Sequence, residues 1–367
     1  MQQIVKNGLY ILVLLLTGLV INAQSVTRPI IIQTKIHSGL ALPFYEALDY
    51  LIKDDIYALD LSVGFPTFGK DYWEKLYRYP VTGVGSSVWS LGNNEVFGKA
   101  ITLYGFINVP FIKRSEKFSI NYQLSFGGAY LTRKFDKDKN PLDRAIGSHV
   151  NIYFRLGIDS KIRLSPRSEL QIEAGTTHFS NGKTRSPNYG INAASLTLGF
   201  NYLLNNKGIT IPEPEIPVIG KRYVQTAVYS AGSKVYDNLL GKRYFTSSVS
   251  YNLERVMNLK RKIGLGADIF YDGSIKEALA GEDGTPENDV SKLFRCGLHT
   301  SYAIQYKQLI MGVQVGYYLY SKYTVLTRIY NKVSLQYLFT NNIVGSIAIK
   351  SHIGKADCLE FGMGYYW

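Results

Sequence analysis

"FSINYQLSFGGAY", Phe118 to Tyr130, alternates along its whole length. One face carries Phe118, Ile120, Tyr122, Leu124, Phe126 and Tyr130, and the other Ser119, Asn121, Gln123, Ser125 and Gly127. A period of two marks an extended strand with one apolar and one polar side. The run is longer than the ~5–6 residues of an ordinary strand in a soluble sheet. It suits a tilted membrane strand of ~9–11 residues with extensions beyond the bilayer. Val150 to Leu164 repeats the pattern. There Val150, Ile152, Phe154, Leu156, Ile158, Ile162 and Leu164 oppose Asn151, Arg155, Asp159, Lys161 and Arg163. Apolar residues outside and polar ones inside are what a barrel in lipid requires, because a closed sheet leaves no unpaired backbone group in the bilayer. A soluble β-sandwich is the alternative, and the residue types on the exposed faces decide between the two.

The alternation predicts eight strands in the first half: 30–39, 56–64, 81–89, 98–110, 117–131, 147–164, 167–180 and 190–204. Eight more follow at 222–231, 243–256, 260–272, 293–306, 308–320, 326–339, 343–351 and 357–367. The fold class is all-β, a transmembrane antiparallel barrel. One barrel of 16 strands is expected, with 12–14 if segments merge, and two eight-stranded units are the rival. The single barrel is preferred because "NNKGITIPEPEIPVIGKR" (205–222) is charged and Pro-bearing but not a long flexible linker. The organisation is then a signal peptide at 1–23, barrel strands at 24–204, a connection at 205–221 and further strands at 222–367.

The start, "MQQIVKNGLYILVLLLTGLVINAQ", has Lys6, an apolar run from Leu9 to Ile21 and a small-residue cleavage site at Ala23. That is a secretory signal pattern, too short for a ~20-residue membrane span. Its removal takes Lys6 away and lowers the net charge from +13 to +12. Export to an outer membrane fits the 29 Tyr and 34 Gly, since such barrels carry aromatic girdles. Cys296 and Cys358 are too few for a disulfide framework; they could pair, or be unrelated strand residues. The positive charge raises nucleic acid as a partner, but export and the scatter of Lys and Arg over many loops argue against it.

At the other end, "LEFGMGYYW" puts Phe361, Met363, Tyr365 and Trp367 on one face. It looks like the aromatic final strand that outer-membrane proteins present to the barrel-assembly machinery. Turn lengths give the orientation. "SPR" at 165–167 is short, whereas 132–146 and 273–292 are long and polar. Short turns lie on the periplasmic side, so 167–180 runs outward and 181–189 is an extracellular loop.

"THFSNGKTRSPNYGIN", Thr177 to Asn192, follows from that register. His178 and Ser180 share the side of Leu170, Ile172 and Ala174, and Asn192 shares the side of Leu196, Leu198 and Phe200. All three therefore stand on the lipid side at the outer end of adjacent strands, where polar residues are costly unless used. A His two residues from a Ser on one strand face can take its proton and make it a nucleophile toward an ester. Asn192 is placed to orient the imidazole. Asn181, Gly182 and Asn188 are candidates for donors to a developing oxyanion. Lys183 and Arg185 are candidates for a substrate phosphate. The remaining histidines, His37, His149, His299 and His352, are scattered singly and read as structural. No metal ligand set or cofactor motif is recognised.

"HFSNGK…PNYGIN" resembles the signature of the PagL-type lipid A deacylases, outer-membrane barrels that remove a fatty acyl chain from lipid A and whose relatives are labelled acyloxyacyl hydrolase. The resemblance covers about residues 30–204. It implies His178 as base, Ser180 as nucleophile, and Asn181 and Asn188 beside them, with lipid A of lipopolysaccharide as substrate. Two departures stand out. The family's third catalytic member is a Glu where this chain has Asn192, and residues 205–367 have no counterpart in its eight-stranded members. Glu173 is no substitute, because its parity points it inward. A channel or transporter is the competing function, suggested by Arg155, Asp159, Lys161 and Arg163 facing inward. A surface-adhesion barrel using loop 273–292 is another.

Overall fold

Among the described residues sixteen antiparallel strands form, each close to its expected span, but they close into two rings of eight. The computed structural model describes residues 29–42, 46–112, 117–204, 215–220, 222–235, 242–283, 289–323, 327–353 and 355–367. The first ring runs β1 (Ile30–Ala41), β2 (Ile56–Pro66), β3 (Val81–Ser90), β4 (Lys99–Pro110), β5 (Phe118–Leu131), β6 (Val150–Arg163), β7 (Ser168–Ser180) and β8 (Ile191–Leu204). The second runs β9 (Tyr223–Val235), β10 (Arg243–Asn258), β11 (Arg261–Asp272), β12 (Phe294–Tyr306), β13 (Leu309–Ser321), β14 (Ile329–Leu338), β15 (Ile343–His352) and β16 (Lys355–Tyr366). The signal segment 1–23 and residues 205–214 of the connection lie outside the described residues.

The expectation of one 16-stranded barrel is thus corrected. β8 returns to β1 in full register, Ile30 opposite Leu204 through Ala41 opposite Ala193. β16 likewise returns to β9, from Leu359 opposite Ser233 to Tyr366 opposite Thr226. The inward side chains give the reason. Lys35 Nζ on β1 donates to Gln123 Oε1 at 3.2 Å on β5, the strand diametrically across a ring of eight. In the second ring Lys332 Nζ on β14 donates to Ser250 Oγ on β10 at 3.0 Å, again four strands away. Eight strands leave an interior that side chains fill, whereas sixteen leave an aqueous lumen too wide for such bonds.

Outward faces are apolar, with Leu103 72% and Leu196 67% exposed. Tyrosines such as Tyr130, Tyr202, Tyr223 and Tyr337 stand near the strand ends, as in an interfacial girdle. Inward faces are polar and internally paired. Arg155 Nη2 meets Glu173 Oε1 at 2.7 Å, and Asp159 takes amide hydrogens from Asn108 and Asn121. Inside the second ring His299 Nδ1 lies 2.6 Å from Asp268, and Lys234 bridges Asp272 and Asp357 at 2.5 and 2.8 Å. The long-loop end of the first ring departs from the polar expectation. Trp89, Tyr153, Phe179 and Ala193 point inward there and pack with Leu91, Phe97, Ala145 and Ile146 of the loops, closing that end with an apolar cap. Cys296 and Cys358 are unpaired on separate strands.

The two rings touch at both ends. At the short-turn end a small helix, α1 (Tyr72–Leu76), leads to Tyr77, whose ring stacks on Tyr306 at 4.3 Å and whose hydroxyl donates to Gln305 O at 2.8 Å. The Tyr122 and Tyr306 hydroxyls lie 3.0 Å apart, and Lys307 pairs with Asp71 at 2.8 Å. At the long-loop end Gly182 lies against Leu359 of β16. In the loop expected as an adhesion surface, a helix, α2 (Ile275–Asp283), and a short 3-10 turn (Val290–Leu293) form; residues 284–288 are outside the described set.

Candidate active site

On β7, Ile172, Ala174 and Thr176 are exposed on the outward face, and His178 and Ser180 continue the same parity. Gln171, Glu173, Thr177 and Phe179 face inward and are buried. Register places His178 directly opposite Asn192 of β8. His178 Nδ1 is 2.6 Å from Asn192 Oδ1, and its Nε2 is 2.9 Å from Ser180 Oγ. The order of contacts fixes the tautomer. An amide oxygen can only accept, so Nδ1 carries the hydrogen and Nε2 is left as an acceptor facing the Ser180 hydroxyl. Asn192 therefore selects the ring form a general base needs. Glu173, held by Arg155 and Lys35 inside the ring, cannot reach the imidazole.

Ser180 is only 5% exposed, because the chain beyond it folds back over its strand end. Asn181 N donates to Asn188 Oδ1 at 2.9 Å, tying the two ends of the loop together. The Asn181 side chain donates to Ser148 Oγ at 2.9 Å and accepts weakly from Arg185 N at 3.4 Å. Asn181 is thus committed to holding the loop. Among the described residues, the Asn188 side-chain NH₂ and the Gly182 N–H are the expected oxyanion donors left unengaged. Gly182 and Gly190 both have left-handed φ values, +61° and +78°. A Cβ on Gly190 would sit 3.0 Å from His178 Cε1, so a side chain there would press on the imidazole.

The two basic candidates diverge. Lys183 is half-buried and leans toward the second ring. Burial lowers its pKa, and Asp357 and Asp272 of that ring oppose the shift. Arg185 is exposed and lines a cavity with Lys134, Lys137 and Arg243. Sequence reasoning missed Ser148 and the turn from Asp143 to Ile146. Asp143 Oδ1 accepts from Ala145 N and Ile146 N at 3.2 and 3.1 Å. That turn then receives Gly190 N on Ala145 O at 3.0 Å, supporting the loop beside His178. Nothing periodic marks such loop residues. The other histidines have structural partners: His37 on Thr197, His149 on Leu131 O, His299 on Asp268 and Asn252, and His352 on Tyr318.

Comparison with known proteins follows this division into rings. The family described as lipid A 3-O-deacylase (PagL) matches residues 57–201, and that described as acyloxyacyl hydrolase, C-terminal domain, matches residues 223–367. No curated protein matches. Among solved structures, the crystal structure of the outer membrane enzyme PagL aligns at 15% identity with 46% of this chain and 97% of its own, at a TM-score of 0.32. Acinetobacter baumannii OccAB4 aligns at 11% identity over 92% of this chain and 97% of its own, with a TM-score of 0.23. A Rh. blastica porin mutant aligns at 8% identity over 92% and 99%, with a TM-score of 0.19. At these TM-scores the structural likenesses carry no weight, and the family matches do. Between them the two matches take in most of both rings, and the chain belongs to the PagL-type lipid A deacylase and acyloxyacyl hydrolase family of outer-membrane barrels.

Proposed function

We propose that this protein is an outer-membrane ester hydrolase that removes a fatty acyl chain from lipid A, using Ser180, His178 and Asn192. The observation that carries the reading is the unbroken relay Asn192–His178–Ser180 on the outward face of the first ring. Family membership supplies the substrate class.

Ser180 Oγ attacks the ester carbonyl while its proton passes to His178 Nε2. The carbonyl π electrons move to oxygen, where the Asn188 NH₂ and Gly182 N–H are placed to donate. Collapse breaks the bond to the sugar oxygen, which takes the proton back from the imidazolium. Water, deprotonated by the same nitrogen, then attacks the acyl-enzyme; the bond to Ser180 Oγ breaks, that oxygen takes the proton back from the imidazolium, and the fatty acid is freed. Asn192 keeps Nδ1–H in place throughout. A channel is poorly served by an interior crossed by bonds such as Lys35–Gln123 and capped by Trp89, Tyr153 and Phe179.

The test is lipid A mass spectrometry on cells expressing wild type or Ser180→Ala at matched levels in the outer membrane. Wild type is expected to yield lipid A one acyl chain lighter, and Ser180→Ala the parent species. Removal of a nucleophile of this kind costs roughly 10⁶ in turnover. Identical spectra from the two, with both barrels inserted, would reject the hydrolase.

A further inference from the structure

Beyond the strand ends, loop residues of the first ring and the rim of the second border an open cavity of about 400 Å³. Four cations line it. Lys134 and Lys137 come from the loop before β6, Arg185 from the loop after Ser180, and Arg243 from the second ring, where it pairs with Val235 at the outer end of the β9–β10 hairpin. The cavity's acid, Asp136, turns one oxygen to the backbone N–H groups of Asp138 and Lys139. Formal charges of four Lys and Arg against one Asp leave +3. Among the described residues none of the four cations has an ion-pair partner. Such a concentration of unneutralised charge in a ligand-sized concavity is suited to a phosphate, which Arg side chains engage in bidentate fashion.

The cavity wall is continuous with the site. Gly147 is pressed so closely on the Ser186 and Pro187 carbonyls that a Cβ would lie 2.7 and 2.8 Å from them. The next residue, Ser148, accepts the Asn181 side chain, one position beyond Ser180. In a glycolipid the acyl esters join an apolar tail to a polar head. With the tail along the outward face below Ser180, the head must lie beyond the strand end, where this cavity opens.

Resting on the ester-hydrolase reading of the same site, the geometry points to a substrate-recognition role for the second barrel: Arg243, with Arg185, Lys134 and Lys137, binds a phosphate on the head of the glycolipid whose ester Ser180 attacks. The second ring thereby completes, through Arg243, a phosphate site to which the first ring supplies the other three cations.

Binding is measured with the full chain carrying Ser180→Ala, so that the lipid stays intact, in detergent micelles. The probes are phosphate-bearing lipid A and the same lipid after phosphatase treatment, with inorganic phosphate as competitor. The Ser180→Ala protein is expected to prefer the phosphorylated lipid by about tenfold, the factor one charged hydrogen bond supplies. Adding Arg243→Glu is expected to bring that preference to about one, and Arg243→Lys, which keeps the charge but loses the two-pronged contact, to keep only part of it. Inorganic phosphate at millimolar concentration should displace the lipid only weakly, because the tail holds it in the micelle; displacement at micromolar concentration would assign the cavity to free phosphate and overturn the proposal. A preference unchanged by Arg243→Glu would also overturn it. The hydrolase reading is judged separately, by the mass spectra of wild type against Ser180→Ala. Loss of phosphate preference without hydrolysis would reject the hydrolase and leave the recognition site standing, and the reverse pair of results would do the opposite.

Discussion

At Asn192 the imidazole meets a carbonyl oxygen and no charge. The 2.6 Å contact orients the ring as an acid would, yet it cannot stabilise the imidazolium that the proposed reaction would form as Ser180 loses its proton. In serine proteases, exchanging the acid for an amide costs ~10⁴ in turnover, largely through the wrong tautomer. Here the oxygen faces Nδ1, so that part of the loss is avoided. Asn192→Asp is therefore expected to raise kcat by about tenfold through charge alone, with KM little changed. Stopped-time assays of acyl release from the two proteins would check this, and an equal or lower kcat would show that the amide is the better partner. This level of detail was partly legible beforehand. The parity of His178, Ser180 and Asn192 follows from counting along β7 and β8. That Asn181 is bound to Ser148, and that Lys183 is half-buried within electrostatic reach of Asp357, depends on loop paths that no periodicity encodes.

Among the elements, the loop before β6 has the most leverage on the site. Its Asp143 is fully buried, and burial pushes the carboxyl up to about 7 against the opposing pull of the Ile146 and Ala145 amides. The unfolded loop titrates near ~3.9. Because the docked form holds its proton more tightly, docking is fully supported below the unfolded value and is lost as pH rises through about 7. Exchange of the Gly190 amide, which donates to Ala145 O, reports the opening. The opened fraction is expected to grow by up to about tenfold from pH 5 to pH 6, beyond the intrinsic rate change, and to level off above about pH 7, and Asp143→Asn should flatten that rise. The strands themselves were readable, since runs such as Phe118–Tyr130 alternate without interruption. What alternation misled on was the interior near the loops. Tyr153 and Phe179 occupy inward positions that pattern alone assigns to polar residues, because there the ring is closed by packed loops.

The whole molecule is two closed barrels side by side, and the choice of eight plus eight over sixteen was not encoded in any local pattern. Strand edges pair over distances of more than 170 residues in the first ring, from Ile30 to Leu204, and closure is decided by which inward side chains can span the interior. Between the rings, aromatic contact should outweigh charge. The Asp71–Lys307 pair is about half exposed and of a kind worth ~0–1 kcal/mol, whereas Tyr77, Tyr122 and Tyr306 meet in a buried cluster. If a protease site is placed within residues 205–214 and cut, the two barrels are expected to copurify in mild detergent. Tyr77→Ala with Tyr306→Ala should release them, while Lys307→Ala should not. Separation of the cut wild type would show that the connection alone holds the halves together. The proposed pair, His178 and Ser180, has a further consequence through its position. A nucleophile set in the outer wall of a barrel meets its reactant by sideways diffusion within the leaflet and leaves both products there. Its velocity is therefore governed by the mole fraction of glycolipid in the surface, and diluting that surface with inert lipid slows turnover even when the bulk amount is constant.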